Sequence, residues 1–398
     1  MTLSNRAAIM SGTNVPLSTE EAFDDREKHD TPLCRDRENE VSAFPALDCD
    51  RRRPRSRGAL MRPVYHPAGT DEALGMAMVE LQAGRWRPAR DLLAATGGQW
   101  GLRTSRTQVL AVTAAHSDVM GVWLEEEPSS YDAQVMRARV SVERALRAHH
   151  QQHAGAAALE EAARHASLMM AHREPRDPVP WICLLALAQI DGRQVRREHR
   201  EGSAEPMLPS GPWGLLHGIN QRDPYNREAY HRILQFILAR PVPPAASLAA
   251  VFDFGRWVAS WSPTGSPLLL LPLYALVEQC RQHSVQHRAD PLWRRQWAQE
   301  PTITYTVKAF HHWFKQPDTA PRSVTDLHHL AYALWAGHRF MEAAEVFTAA
   351  GTYASHEPWA SVHDDPNHPD GGEALLLRAR RESLSFARSH APSIGLSS

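Results

Sequence analysis

Leu81-Gln-Ala-Gly84-Arg-Trp86-Arg-Pro-Ala89-Arg-Asp-Leu92-Leu93 is the stretch whose reading decides the fold. Its pattern is a helix end, a glycine that permits a left-handed turn, and an aromatic residue followed at three- and four-residue steps by Ala89 and Leu93. It returns in altered form as Leu334-Trp-Ala-Gly337-His-Arg-Phe340-Met-Glu-Ala343-Ala-Glu-Val-Phe347, with one extra residue in the turn. Each copy reads as two helices packed back to back. The small alanine lets the helices approach, and the large residue fills the groove beside it.

Working outward, the pattern from about Asp71 onward is helical almost without a break. Asp71 can cap a helix running to Ala83, and Pro88 sits in the first turn of the next, where a missing N–H is harmless. Ser105 to Leu124 carries Val109, Val112, Val119 and Val122, with Asp118 as a break point. Ser130 or Tyr131 to Ala148 and Ala156 to Ala171 are two further helices. Thereafter proline punctuates: Pro178, Pro180, Pro212, Pro224, Pro243, Pro244, Pro291, Pro301 and Pro321 each precede an apolar run. Proline is tolerated at a helix start but not deeper. The count is thirteen to fifteen helices, with strands nearly absent. Gly192 to Ser210 and His356 to Gly372 read as loops, the first a possible sub-boundary.

The paired motifs resemble the tetratricopeptide-repeat superfamily: Trp86, Ala89 and Leu93 match the register of its hairpin, as do Phe340, Ala343 and Phe347. Asp223-Pro-Tyr-Asn-Arg-Glu-Ala229 looks like the start of another unit. A strict period of about 34 residues is not sustained. The resemblance implies an all-α, irregular array of helical hairpins over residues 61–398 and a surface that recognises a protein or peptide. The whole chain also resembles helical proteins of high-GC bacteria. Only Lys28, Lys308 and Lys315 are lysines among 44 basic residues, a bias in keeping with that origin.

Residues 1–60 show no periodicity. They mix acids, Ser, Thr and Pro, then end in Arg51-Arg-Arg-Pro-Arg-Ser-Arg57, and read as a disordered tail. Met61 is an alternative start, and deletion of the preceding residues is expected to leave the fold intact. No apolar leader segment is apparent at the N-terminus. The most apolar run, Pro267 to Val277, is about half the roughly 20 residues that span a bilayer, so it reads as a buried helix. Cys34, Cys49, Cys183 and Cys280 include no C-x-x-C pair and read as reduced thiols of a cytoplasmic protein. The formal net charge of -1 gives the whole chain no pull towards nucleic acid or anionic lipid.

Neither a phosphate-binding loop nor a nucleophile elbow occurs. Histidine is in excess at 22 residues. His149 with His153, and His283 with His287, are four apart, a spacing that puts two imidazoles on one helix face for a metal. The stretch His363-Asp-Asp365-Pro-Asn-His368-Pro-Asp370 is the other weak metal candidate. His311-His312 and His328-His329 read as solvent-facing, and Glu125-Glu-Glu127 as a solvated acidic turn. The tryptophan pairs Trp257/Trp261 and Trp293/Trp297, and the stripe Tyr305, Ala309, Trp313, read as core with the option of lining a groove. No catalytic residue or cofactor is assigned. The leading expectation is a protein-interaction scaffold without a membrane span. An all-α enzyme or small-molecule binder with a His/Trp-lined pocket is the alternative. A regulator whose Arg51–Arg57 arm contacts DNA is the third reading.

Overall fold

In the computed structural model the Leu81–Leu93 stretch is a helical hairpin: α1 (Glu72–Gln82) and α2 (Arg87–Thr96) pack together. The structure describes residues 61–286, 291–317, 321–363 and 370–390. Asp71 accepts a hydrogen bond from the Leu74 amide and so caps α1. Gly84 has φ +79°, and a β-carbon there would meet nothing within 4 Å, so the turn asks for its backbone freedom rather than its size. Trp86, Ala89 and Leu93 are buried against Leu74, Ala77, Met78 and Leu81.

The chain continues through α3 (Trp100–Ala114), α4 (Val119–Glu126), α5 (Tyr131–His150), α6 (Ala156–Arg173), α7 (Val179–Leu187) and α8 (Trp213–Asn220). Then follow α9 (Arg227–Ala239), α10 (Pro244–Trp261), α11 (Leu271–Gln286), α12 (Thr302–Ala309) and α13 (Val324–Ala336). The last three are α14 (Phe340–Ala350), α15 (Trp359–Val362) and α16 (Gly371–Ser389). Among the described residues there is no strand, only the isolated bridges Val64–Tyr353 and Glu201–Gly211. The protein is all-α and built of many helical hairpins.

The start signals work as the chemistry suggests. Ser130 and Asn226 cap α5 and α9 through their side chains. Pro178, Pro212, Pro243 and Pro301 stand at the N-caps of α7, α8, α10 and α12. The α13–α14 turn differs from the α1–α2 turn in one respect. Its left-handed residue is His338 (φ +60°), the extra residue, while Gly337 has an ordinary φ of -84°. Gly337 is needed for space: a β-carbon there would lie 3.0 Å from the carbonyl oxygens of Ala333 and Trp297. Two loop expectations change. The 192–210 segment holds a 3₁₀ turn at Arg197–His199, and the 356–372 segment contains α15, which buries Trp359 and Val362. The Pro267–Val277 run is a 3₁₀ turn leading into α11, buried from Leu268 on. Among the described residues no helix is long and apolar enough to cross a membrane.

Packing proceeds mostly between neighbours in the chain: α5 with α6, α6 with α7, α10 with α11, α13 with α14. The apolar core accordingly runs in successive clusters, the first within residues 68–140, the second within 135–190 and the largest within 182–379. Buried ion pairs tie these layers. Arg103 on α3 reaches Asp132 at 2.5 Å and Asp177 at 3.1 Å. Arg139 on α5 pairs with Glu228 on α9, which also holds Arg232 at 3.1 Å. Two contacts join distant parts. The amide of Val64 donates to Thr352 and that of Ala354 to Val64, both at 2.9 Å. Nearby, the Tyr65 hydroxyl donates to Glu373, 308 positions away in the chain, at 3.0 Å.

Candidate functional site

A cluster of buried titratable groups lies where α9, α11 and α13 meet. Asn226 caps α9, which sets Arg227 in its first turn and His231 one turn on. Asp326 sits in the first turn of α13, where the helix N-terminus favours a carboxylate. Arg227 grips Asp326 with two hydrogen bonds of 2.6 Å, the planar fork matching the carboxylate. The Tyr274 hydroxyl of α11 donates to Asp326 at 2.6 Å and accepts from Arg227 at 3.2 Å. His329 stacks on Tyr274 with ring centroids 3.7 Å apart, and His231 meets the same ring edge-on at 4.5 Å.

Protonation states follow from these contacts. Burial opposes the charge of Asp326, but Arg227 outweighs it and holds the carboxyl below its usual range. Burial, then Asp326, pushes the Tyr274 phenol well up, so it stays protonated. Burial, then Arg227, pushes His231 well down, and burial takes His329 down to about 4. At neutral pH the cluster holds an ionised Asp, a protonated Tyr and two neutral imidazoles. Among the described residues every side-chain hydrogen bond of Asp326 and Tyr274 runs to another member, which makes the cluster a clasp between three helices.

His328 and His329 are each 2% exposed, so the solvent-facing expectation is corrected. The reason is the apolar run Leu330–Trp335 that follows them, which leaves α13 buried on all sides. The Trp359 indole donates to His328 Nδ1 at 2.9 Å, and Nε2 donates to the Tyr353 carbonyl at 3.1 Å. Burial lowers the pKa of His328 to about 4 as well. His311 and His312 are exposed, as expected, in a π turn that ends α12.

Other sequence candidates separate. α5 ends at His150, so His149 and His153 do not share a helix face; the His153 ring instead accepts from the Gly155 amide at 3.0 Å. His283 lies on α11, but His287 falls outside the described residues. His363 is half-buried just after α15, whereas Asp365 and His368 also lie outside the described residues. Among the described residues no group of three His, Cys, Asp or Glu is placed to hold a metal ion. The acidic turn after α4 is not freely solvated at Glu127, which accepts from Trp123 at 3.0 Å and Arg90 at 2.8 Å. Arg87 pairs with Glu126. Cys183 and Cys280 are buried thiols; burial pushes Cys183 up to about 12.

The tryptophans divide. Trp297 and Trp313 are core, as is Ala309 beside them. Trp257 is half-buried and Trp261 is 36% exposed, so this pair opens to the surface. Trp261 meets Trp257 at 5.4 Å, Tyr225 at 5.9 Å and Tyr230 at 5.9 Å. The clasp itself was missed in the sequence because its members come from three separated helices. The available signal was Asp326, a carboxylate in the first turn of a largely apolar helix. No protein-family model, no curated protein and no solved structure matches the chain.

Proposed function

We propose that the chain is a protein-interaction module, a divergent tetratricopeptide-like array that recognises a partner by surface shape. One observation carries the reading: the hairpins use their buried ionic groups on each other and turn large apolar side chains outward. Arg103, Arg139 and Arg227 each pair with a carboxylate of another helix or loop. Meanwhile Met76, Met169, Met207 and Met341 are exposed on separate parts of the array. Methionine is adaptable and common on surfaces that take up partners. The neutral histidines of the clasp and the raised Tyr274 phenol, all engaged with their neighbours, fit a structural role for that cluster.

Photo-crosslinking in the cells that make the protein tests this reading. A benzoyl-phenylalanine is placed in turn at 76, 169, 207 and 341. One discrete protein adduct, formed from some positions and not from others, is the expected result. Adducts from none of the four, or the same smear from all, would overturn it.

A further inference from the structure

The outward-facing aromatic group at the α8–α9 turn and the end of α10 has a chemistry of its own. Trp257 and Trp261 lie one turn apart on α10, and Asp253 lies one turn before them on the same stripe. Tyr225 packs on Trp261 from the turn and is 40% exposed. Its φ of +64° is an uncommon backbone conformation for a bulky residue, held by its amide donating to Asn220 at 3.3 Å. Beneath them Tyr230 is buried and fixed by the Asn220 side chain, which donates to its hydroxyl at 2.6 Å. The half-exposed rings therefore stand on a rigid base.

We propose that this surface binds a proline-rich segment carrying a basic residue. The inference rests on the interaction-module reading and names its partner class. Three features select the occupant. Ring planes tilted by 42° and 74° about Trp261 offer aromatic faces to pyrrolidine rings. The two indole N–H groups and the Tyr225 hydroxyl donate to no described residue. Proline has no N–H, and a polyproline helix turns its unpaired carbonyls outward, so it offers acceptors that these donors can take in place of water. Asp253 makes no ion pair or hydrogen bond among the described residues, which gives the stripe a carboxylate for an Arg or Lys beside the prolines. Arg256, which also has no ion pair among the described residues, lies roughly a quarter turn from the stripe's centre by helix geometry.

Fluorescence anisotropy with the full chain tests the proposal. The probes are labelled decaproline, the same peptide preceded by arginine, and a Gly-Ser peptide of equal length. Both proline peptides are expected to saturate, the arginine form more tightly, and the Gly-Ser peptide not at all. Trp261→Ala should weaken both by at least about tenfold, as aromatic anchors do. Tyr225→Gly removes the ring while relieving the backbone, so it keeps the test valid if Trp261→Ala unfolds. Asp253→Asn should erase only the advantage of the arginine form. No saturation by either proline peptide, or unchanged affinity in both ring variants, overturns the proposal. An Asp253→Asn variant that retains the arginine advantage removes the basic residue from it. A discrete crosslinked partner together with no proline-peptide binding would defeat this inference and leave the interaction-module reading standing. Absence of both would defeat the two together.

Discussion

Acid should loosen this protein through two histidines of α13. His328 and His329 fold as neutral rings with pKa values near 4, against about 6.5 in an unfolded chain. Between those values the unfolded state binds protons that the native state refuses, so stability rises with pH in this window. It is complete above about pH 7 and is lost as pH falls from about 6.5 towards 4. One pKa unit is worth about 1.4 kcal/mol, so each ring contributes roughly 3 kcal/mol in full. Between pH 7 and 4.5 roughly 2–3 kcal/mol per ring disappears, about 5 kcal/mol for the pair. That is a large part of the roughly 5–15 kcal/mol that holds a native protein together. The hydrogen bonds agree with the direction, since a proton on His328 Nδ1 would meet the Trp359 indole N–H that now donates to it. The variant His328→Gln with His329→Asn keeps an amide N–H near each donor position and cannot titrate. Urea denaturation from pH 7 to 4.5 is the assay. The unfolding free energy of the wild type minus that of the variant should fall by about 5 kcal/mol as pH falls. Parallel losses in the two proteins would refute the assignment of neutral, buried rings.

Other substitutions probe the packing. Glu228→Gln leaves Arg139 and Arg232 without their shared carboxylate, and Arg139 already has two buried nitrogens without partners. A loss of about 3–5 kcal/mol is expected by denaturant unfolding, and a loss below about 1 kcal/mol would show that the ion pair is not buried as described. Gly255→Ala puts a methyl group 3.2 Å from the backbone of Leu271, where α10 crosses the start of α11. This should cost about 1–3 kcal/mol in the same assay, and an unchanged midpoint would mean that the two helices are farther apart.

How much was legible in the sequence depended on how local each cause was. Gly84, Trp86 and Ala89 specify a hairpin within a few residues of themselves, and it formed as read. Ser130, Asn226 and the prolines likewise act on the next turn of backbone. The His328-His329 pair failed because burial is decided by what packs on all sides of α13, not by the polarity of the pair. His149 and His153 failed for a smaller reason: the helix stops at His150, short of the second ring. The clasp of Arg227, Tyr274 and Asp326 was beyond local reading, since no spacing rule connects three helices that meet only after folding. Trp257 and Trp261 show the opposite limit. Periodicity put both on one stripe correctly, but it could not say that the stripe reaches the surface.

The pairing of Val64 with the Thr352–Ala354 strand-like turn, and of Tyr65 with Glu373, has a consequence for how this array can change. An open solenoid gains or loses a unit at either end without disturbing the rest, because each unit touches only its neighbours. Here residues at the beginning of the described chain are hydrogen-bonded to residues near its end. An added or deleted hairpin between them would have to leave both anchoring points in register. A hairpin gained or lost between residues 65 and 352 would therefore act on the tether as well as on its own neighbours.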